Sequence, residues 1–346
     1  MAVFGRRWTT LLTLSLVATL LCAAPGAAQT SIKFSLDGRI TGPAAPFLLS
    51  LDKGHYRAEG LDITVDPAAD FLEPITRTAS GTHDIAVADL NALIRFHEHN
   101  PTASKMAPKA VFVVFDRPAY AIIARKSRGI LQPKDLEGKK LGTPTADASS
   151  AQWPLFAKLN DIDPAKVTVE DIAVPVREPM LAAGQVDAVT GLSFASYVDL
   201  KGRGVPVDDI VTMRMADHGL ELYGNAIIVN PKFAADNPDA VRGFLRAFLL
   251  GLKETVREPS QAIRAVLERN ETANREVELE QLRMVVRENI LTPEVKAQGF
   301  GGVDPARFER TIAQLGLVVK FKTKPALSDI FDLSFLPSTD ARKLHW

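Results

Sequence analysis

Cysteine is almost missing from this chain of 346 residues, and charge of either sign has no excess. The single cysteine, Cys22, leaves no intramolecular disulfide and no Cys-based zinc or iron–sulfur site. The 41 basic and 41 acidic side chains cancel, so the electrostatic footprint of a nucleic-acid binder is lacking and no nucleic-acid partner is expected. After residue 30 no stretch approaches the roughly 20 apolar residues of a membrane span. Dinucleotide and Walker phosphate-binding patterns are absent as well, and no cofactor is implied. Hydrophobic content of 46% and charge of 24% are ordinary globular values, which excludes disordered and fibrous classes. The length points to two domains, because single cores stop growing at roughly 250–300 residues.

The N-terminus reads as an address. Arg6 and Arg7 precede an apolar run from Leu11 to Leu21, followed by Ala-Ala-Pro-Gly-Ala-Ala. That order is the one of a secretory signal peptide, with cleavage expected after Ala28 and Gly26 and Ala28 as the small residues. A lipoprotein anchor on Cys22 is disfavoured by bulky Leu21 before it, and the arginine pair leaves a twin-arginine route open. Cleavage removes Cys22. The mature protein is expected in the periplasm.

Beyond residue 28, short apolar runs alternate with helix-like stretches. Strands are expected at 32–36, 61–65, 84–87, 110–115, 119–124, 140–143, 167–171 and 186–190, and 220–230 reads as extended. Helices are expected at 46–57, 71–80, 91–98, 148–160, 178–183, 276–289 and 305–315, with a short turn at 133–136. Another starts at Asn237-Pro238, where Asn237 is a good N-cap residue and Pro238 suits the first helical position. The alternation argues for βαβ units around parallel sheets, covered by helices on both faces. The two α/β blocks share a layout.

Four stretches carry a resemblance. Leu51-Asp-Lys-Gly-His-Tyr-Arg-Ala-Glu-Gly-Leu-Asp-Ile-Thr-Val65 is similar to the A-x-x-K-G-Y-F-x-x-E-G-L-x-V segment of thiamine-precursor-synthase-like proteins. Leu136-Glu-Gly-Lys-Lys-Leu-Gly142 is similar to D-L-x-G-K-x-I-G, and Leu181-Ala-Ala-Gly-Gln-Val-Asp-Ala188 to A-L-x-x-G-x-V-D-A. The segment from Asn237 to Ala247 resembles the helix after that family's second hinge strand. The similarity covers most of the mature chain, roughly Ser31 to Leu315. The chain thus resembles a type II periplasmic solute-binding protein of the group that includes taurine, sulfonate, nitrate and pyrimidine-precursor binders. The resemblance implies an α/β fold of two lobes joined by two crossing segments. One lobe is expected at 29–117 plus 224–346, the other at 118–223, with crossings near 115–120 and 220–225. It also implies a small anionic or zwitterionic solute, of sulfonate, carboxylate or pyrimidine-precursor type, and ABC permease and ATPase partners. A monomer is expected. The motif residues themselves are structural: Gly54 and Gly60 turn the chain, Leu61 and Ile63 enter a sheet, and Gly184 and Asp187 shape a helix-to-strand turn.

The family's pocket lies between the lobes, at loops beyond the carboxyl ends of strands. In the first such loop Arg39 could fork onto an acid and Asp37 could accept from an amine or orient Arg39, or the two could pair on the surface. No tryptophan stands there, unlike many thiamine-precursor binders. Glu73 is either a ligand group or a charge favoured by a helix start, and Asp89 either a ligand group or an N-cap. Arg117 and Tyr120 lie at the first crossing, where Arg117 could instead brace the hinge with Asp116. Thr145 and Ser149 fall in a strand-to-helix loop, with Asp147 or Ser149 as a simple cap. Ser193, Phe194, Tyr223 and Asn225 complete the candidates, the two aromatics doubling as core residues.

Catalysis is not expected. Gly191-Leu-Ser-Phe-Ala195 nearly matches a nucleophile elbow, but the adjacent Asp217 and His218 would strain a triad, so a Ser193 hydrolase is only the alternative. Ser50-Leu-Asp-Lys53 lacks the companion motifs of penicilloyl chemistry. His97 and His99, two apart, face different sides of a helix and read as a solvated end, with no metal. The thiamine-precursor synthase uses this fold with iron and a Cys-rich motif, for which the mature chain has no cysteine. Service to a sensor instead of a permease is a further alternative.

Overall fold

The computed structural model describes residues 29–100, 107–145 and 147–344. The expected leader, Cys22 and the Ala28 cleavage point lie outside the described residues. No helix among the described residues is long and apolar enough to cross a membrane.

Among the described residues, ten strands form two sheets of five. The first holds β1 (Thr30–Ser35), β2 (Leu61–Asp66), β3 (Ile85–Asp89), β4 (Lys109–Val113) and β10 (Asn225–Val229), in the order β2-β1-β3-β10-β4. The second holds β5 (Tyr120–Arg125), β6 (Lys140–Thr143), β7 (Thr168–Asp171), β8 (Ala188–Leu192) and β9 (Ile210–Arg214), in the order β7-β6-β8-β5-β9. The orders are equivalent, so the shared layout of the two blocks is present. The expectation of wholly parallel sheets is corrected: β10 runs antiparallel to β3 and β4, and β5 antiparallel to β8 and β9. These two are the strands entered straight after the chain passes from one sheet to the other. Each passage reverses the chain direction, so its first strand inserts antiparallel among neighbours that run the other way.

The passages lie side by side. The N–H groups of Val114 and Phe115 donate to the Asn225 carbonyl at 2.8 and 3.0 Å, and the Gly224 N–H donates to the Phe115 carbonyl at 2.9 Å. Arg307, on the Pro305–Leu315 helix, clamps both: it donates to the Asp116 carboxylate (2.9 Å), the Asp116 carbonyl (2.6 Å) and the Leu222 carbonyl (2.9 Å). Its guanidinium covers the Tyr223 ring at 3.9 Å from the centroid. Asp116 therefore pairs with Arg307, while Arg117 reaches Asp217 at 2.6 Å and the Ala216 carbonyl at 2.7 Å.

The core under the first sheet is aromatic. Phe34, Phe47, Tyr56, Phe244 and Phe248 stack or tilt with centroids 4.3–5.2 Å apart, joining β1 to the Ala45–Asp52 and Pro238–Arg257 helices. The helix expected over 46–57 is two, Ala45–Asp52 and His55–Ala58, because Gly54 takes the left-handed conformation (φ 72°) that ends a helix. Asn237 does not cap the long helix; its side-chain amide donates back to the Phe233 carbonyl at 3.4 Å and closes the preceding turn.

Candidate ligand-binding site

The carboxyl ends of β1 and β3, the start of β10 and the start of β5 meet where the sheets adjoin. In register, Asn225 opposes Asp89 across β10 and β3, and Tyr120 opposes Leu192 across β5 and β8. This alignment gathers four of the expected residues: Asp37, Asp89, Tyr120 and Asn225. The Asn225 amide donates to the Asp37 carboxylate, and the Tyr120 hydroxyl donates to Asp89. The other Asp89 oxygen accepts from the Ala92 N–H at 2.7 Å, so Asp89 both caps the Leu90–His99 helix and anchors a residue of the second sheet.

Asn91, which the sequence reading passed over, completes the cluster. Its side-chain nitrogen donates to the Tyr120 hydroxyl at 3.0 Å and to the Tyr223 carbonyl at 2.7 Å. Its position on the second residue of a helix was visible; the direction of its side chain toward the second sheet was not. Asp89, Asn91 and Tyr120 are buried, the last only 2% exposed, whereas Asp37 is open to solvent. Yet protein surrounds Asp37 on its other sides. That enclosure pushes its pKa up to about 6, against the hydrogen bonds from its own amide and from Asn225, with the Asp89 charge adding to the rise. Burial likewise raises the pKa of Asp89, while Tyr120 and Ala92 hold it down.

Of the other candidates, Tyr223 touches this cluster through its carbonyl and Ser193 borders it, its N–H donating to the Ala119 carbonyl at 2.8 Å. Arg39 is exposed, two residues along the same loop, and the acid it acts on is Glu278. Glu73 accepts from the Ala69 N–H at 2.5 Å and pairs with Arg77 at 2.7 Å. Thr145 is exposed, its N–H on the Asp171 carboxylate at 3.0 Å; the Ser149 hydroxyl is buried on Asp147. Ser193 opens the Ser193–Gly202 helix wholly buried, its Oγ without a partner. Phe194 lies in the apolar core of the first sheet, and Tyr223 is buried with its hydroxyl accepting from the Asp304 N–H at 2.9 Å. Ser193 has no hydrogen bond to His218, whose ring meets Phe156 edge-on at 6.1 Å, and Asp217 is held by Arg117 and Arg214. His97 and His99 bond to the Pro108 and Arg95 carbonyls, and no group of three or more potential metal ligands occurs among the described residues.

On the second sheet's side, a buried arginine organises the loop after β6. Arg177 pairs with Glu178 at 2.7 Å and Asp147 at 3.3 Å, and Ser196 donates to Glu178 at 2.6 Å. Asp147 in turn accepts from the N–H groups of Ser149 and Ser150. Apart from the adjacent Arg177 and Glu178, the partners lie 18–30 residues apart, beyond any local pattern.

Residues 43–262 match the family described as NMT1/THI5 like. The chain belongs to this family. Among its relatives are a riboflavin-binding protein of Chloroflexus aurantiacus, 28% identical over 63% of this chain and 60% of the other, and a formylaminopyrimidine-binding protein of Halalkalibacterium halodurans, 24% identical over 77% and 79%. A third, 22% identical over 66% of this chain and 67% of its own, is the 4-amino-5-hydroxymethyl-2-methylpyrimidine phosphate synthase of Schizosaccharomyces pombe. The family resemblance read from the four sequence stretches therefore holds. The fold is that of periplasmic binding proteins: the periplasmic aliphatic sulphonate binding protein SsuA of Escherichia coli superposes with a TM-score of 0.67 at 13% identity, over 89% of this chain and 94% of that one.

Proposed function

We propose that this chain is the solute-binding subunit of an ABC importer, exported to the periplasm, monomeric, and closing two lobes over a small organic solute. The lobes are residues 29–117 with 224–346, and 118–223. One observation carries the reading: Asp37, Asp89 and Asn225 from one lobe and Tyr120 from the other form one polar cluster beside the crossings, with Asp37 its solvent-exposed member. A ligand there touches both lobes and so favours their closed arrangement. Two relatives whose names are those of binding proteins support capture without turnover. The synthase relative does not move the reading toward catalysis, because the lone cysteine precedes the expected cleavage point.

The test is a thermal-shift screen of purified residues 29–346 against pyrimidines, flavins, sulfonates, amino acids and nitrate. A solute at 100 times its Kd should stabilise the protein by about 2.7 kcal/mol, which for a chain of this size raises Tm by at least a degree or two. If no class shifts the melting curve at millimolar concentration, solute capture is the wrong reading.

A further inference from the structure

Away from the polar cluster, the long Pro238–Arg257 helix carries a groove of its own. The C-terminal stretch crosses this helix as a strap, pinned at two places. Phe335, closing the Leu333–Phe335 turn, lies under the Arg242 guanidinium at 5.4 Å from the ring centroid. The Ala341 carbonyl accepts from Lys253 at 2.6 Å. Buried Arg342 fixes the strap from behind, donating to the Phe300 and Pro337 carbonyls at 2.7 and 3.0 Å. Between the two pins lies a groove of about 520 Å³, within the usual size of small-molecule sites. Glu59, on its rim, stands just before β2 begins. The groove is therefore toward the amino ends of parallel β1 and β2, whereas the polar cluster is at the carboxyl ends of β1 and β3.

Its lining is apolar with basic groups beside it. Leu249 and Phe335 are buried, 4% and 8% exposed, while Leu250 is 49% exposed on the lip. Leu250 stands four residues after Arg246 and three before Lys253, so the three share one helix face. The charges do not cancel. Arg242 pairs with Asp239 at 3.1 Å and Arg246 with Glu59 at 2.6 Å. Lys253 gives a hydrogen to a carbonyl instead, and has two more to give. Burial and the neighbouring Arg257 charge lower its pKa, with only Asp340 acting the other way. An apolar groove is thus left with one positive charge over.

We infer that this groove is a second binding site, for a free single-chain anionic amphiphile whose acid head meets Lys253 and whose alkyl body covers Leu249, Leu250 and Phe335. The charge count selects a head of one negative charge, because Arg242 and Arg246 are already matched by carboxylates. Depth selects a dissolved molecule over a membrane face: a flat surface meets Leu250 but does not reach Leu249 and Phe335 behind it. The occupant touches both helix and strap, so it ties the two walls together and stabilises the fold by mass action. The inference goes beyond solute capture and does not depend on it.

The experiment is calorimetric titration of residues 29–346 at neutral pH with decanoate, decanol, acetate and phosphatidylglycerol vesicles. The proteins are wild type, Lys253→Gln and Leu250→Ala. A glutamine amide can still donate to the Ala341 carbonyl, so Lys253→Gln keeps the strap and removes the charge. Expected is one decanoate per chain, with decanol and acetate binding about tenfold or more weakly. Lys253→Gln should cost about tenfold in decanoate affinity, and Leu250→Ala about threefold or more. Both side chains reach solvent, so melting temperatures should stay within a few degrees of wild type. The comparison of decanoate with decanol on the wild-type protein needs no variant at all. Absence of decanoate binding overturns the inference, as does decanol binding equally well. Decanoate binding that neither variant weakens places the amphiphile elsewhere and overturns it too. Vesicle binding that Leu250→Ala abolishes would make the groove a membrane contact instead. None of these results touches the solute-capture reading.

Discussion

Asp37 is held where its charge works against the fold. Its carboxyl is harder to ionise in the native cleft than in an unfolded chain, with a pKa near 6 instead of the ordinary 3.8. Between those values the native state holds the proton longer, so stability declines as pH rises from about 4 to about 6 and is then level. Asp37→Asn should therefore raise Tm at pH 7–8 by a few degrees, discounted for the side chain's exposure, and leave it unchanged near pH 4. Calorimetric scans at the two pH values decide it; an equal gain at both would show that the carboxylate charge is not the cause. At this scale the sequence told which residue types stood at strand ends. It did not tell how they were spent. Asp89 was legible as cap or ligand group, and it caps while also holding Tyr120. Arg117 and Tyr223 were both candidates near the crossings, yet Arg117 is taken by Asp217 and Tyr223 is sealed under Arg307, because each partner lies more than 80 residues downstream.

Among the elements, the Arg275–Val285 helix touches both the Gly42–Ala44 turn and the Ser193–Gly202 helix. Glu278, buried on it, accepts from the Gly42 N–H at 2.6 Å and so fixes the loop that carries Asp37 and Arg39. Two residues on, Glu280 pairs with Lys201 of the Ser193–Gly202 helix at 2.8 Å. A methyl group on Gly42 would come within 2.3 Å of the Glu278 carbonyl oxygen, which belongs to helix backbone and cannot yield. Gly42→Ala should displace the Asp37 loop and weaken solute binding about tenfold or more, at a stability loss of roughly 1–3 kcal/mol. Titration and denaturant melts of the same variant would separate the effects; unaltered affinity would show the loop to be held elsewhere. Strands such as β2, β6 and the Pro305–Leu315 helix were legible because their apolar spacing is set by burial on one side or both. β9 was missed: Ile210–Arg214 is a half-buried edge strand whose pattern is faint. The antiparallel course of β5 and β10 was equally invisible, since strand direction follows from the passages between sheets and not from the strand's own residues.

For the molecule as a whole, closure is the quantity to measure. Besides Lys201–Glu280, Arg95 reaches Ala151 and Gln152, so contacts across the proposed lobe boundary exist on more than one element. Small-angle scattering should show a smaller radius of gyration with saturating solute, and Lys201→Ala should enlarge the solute-free radius while changing stability by at most about 1 kcal/mol. A radius that solute leaves fixed would mean a rigid pocket. The strand order has another consequence, in time instead of space. β10 lies between β3 and β4, yet it is reached only after the entire second sheet has been spelled out. During synthesis the first sheet cannot complete itself, because its interior strand is missing until residue 225 emerges, and long-range pairing of this kind is slow even then. A nascent chain built this way stays threadable for longer, which is the state an export channel requires.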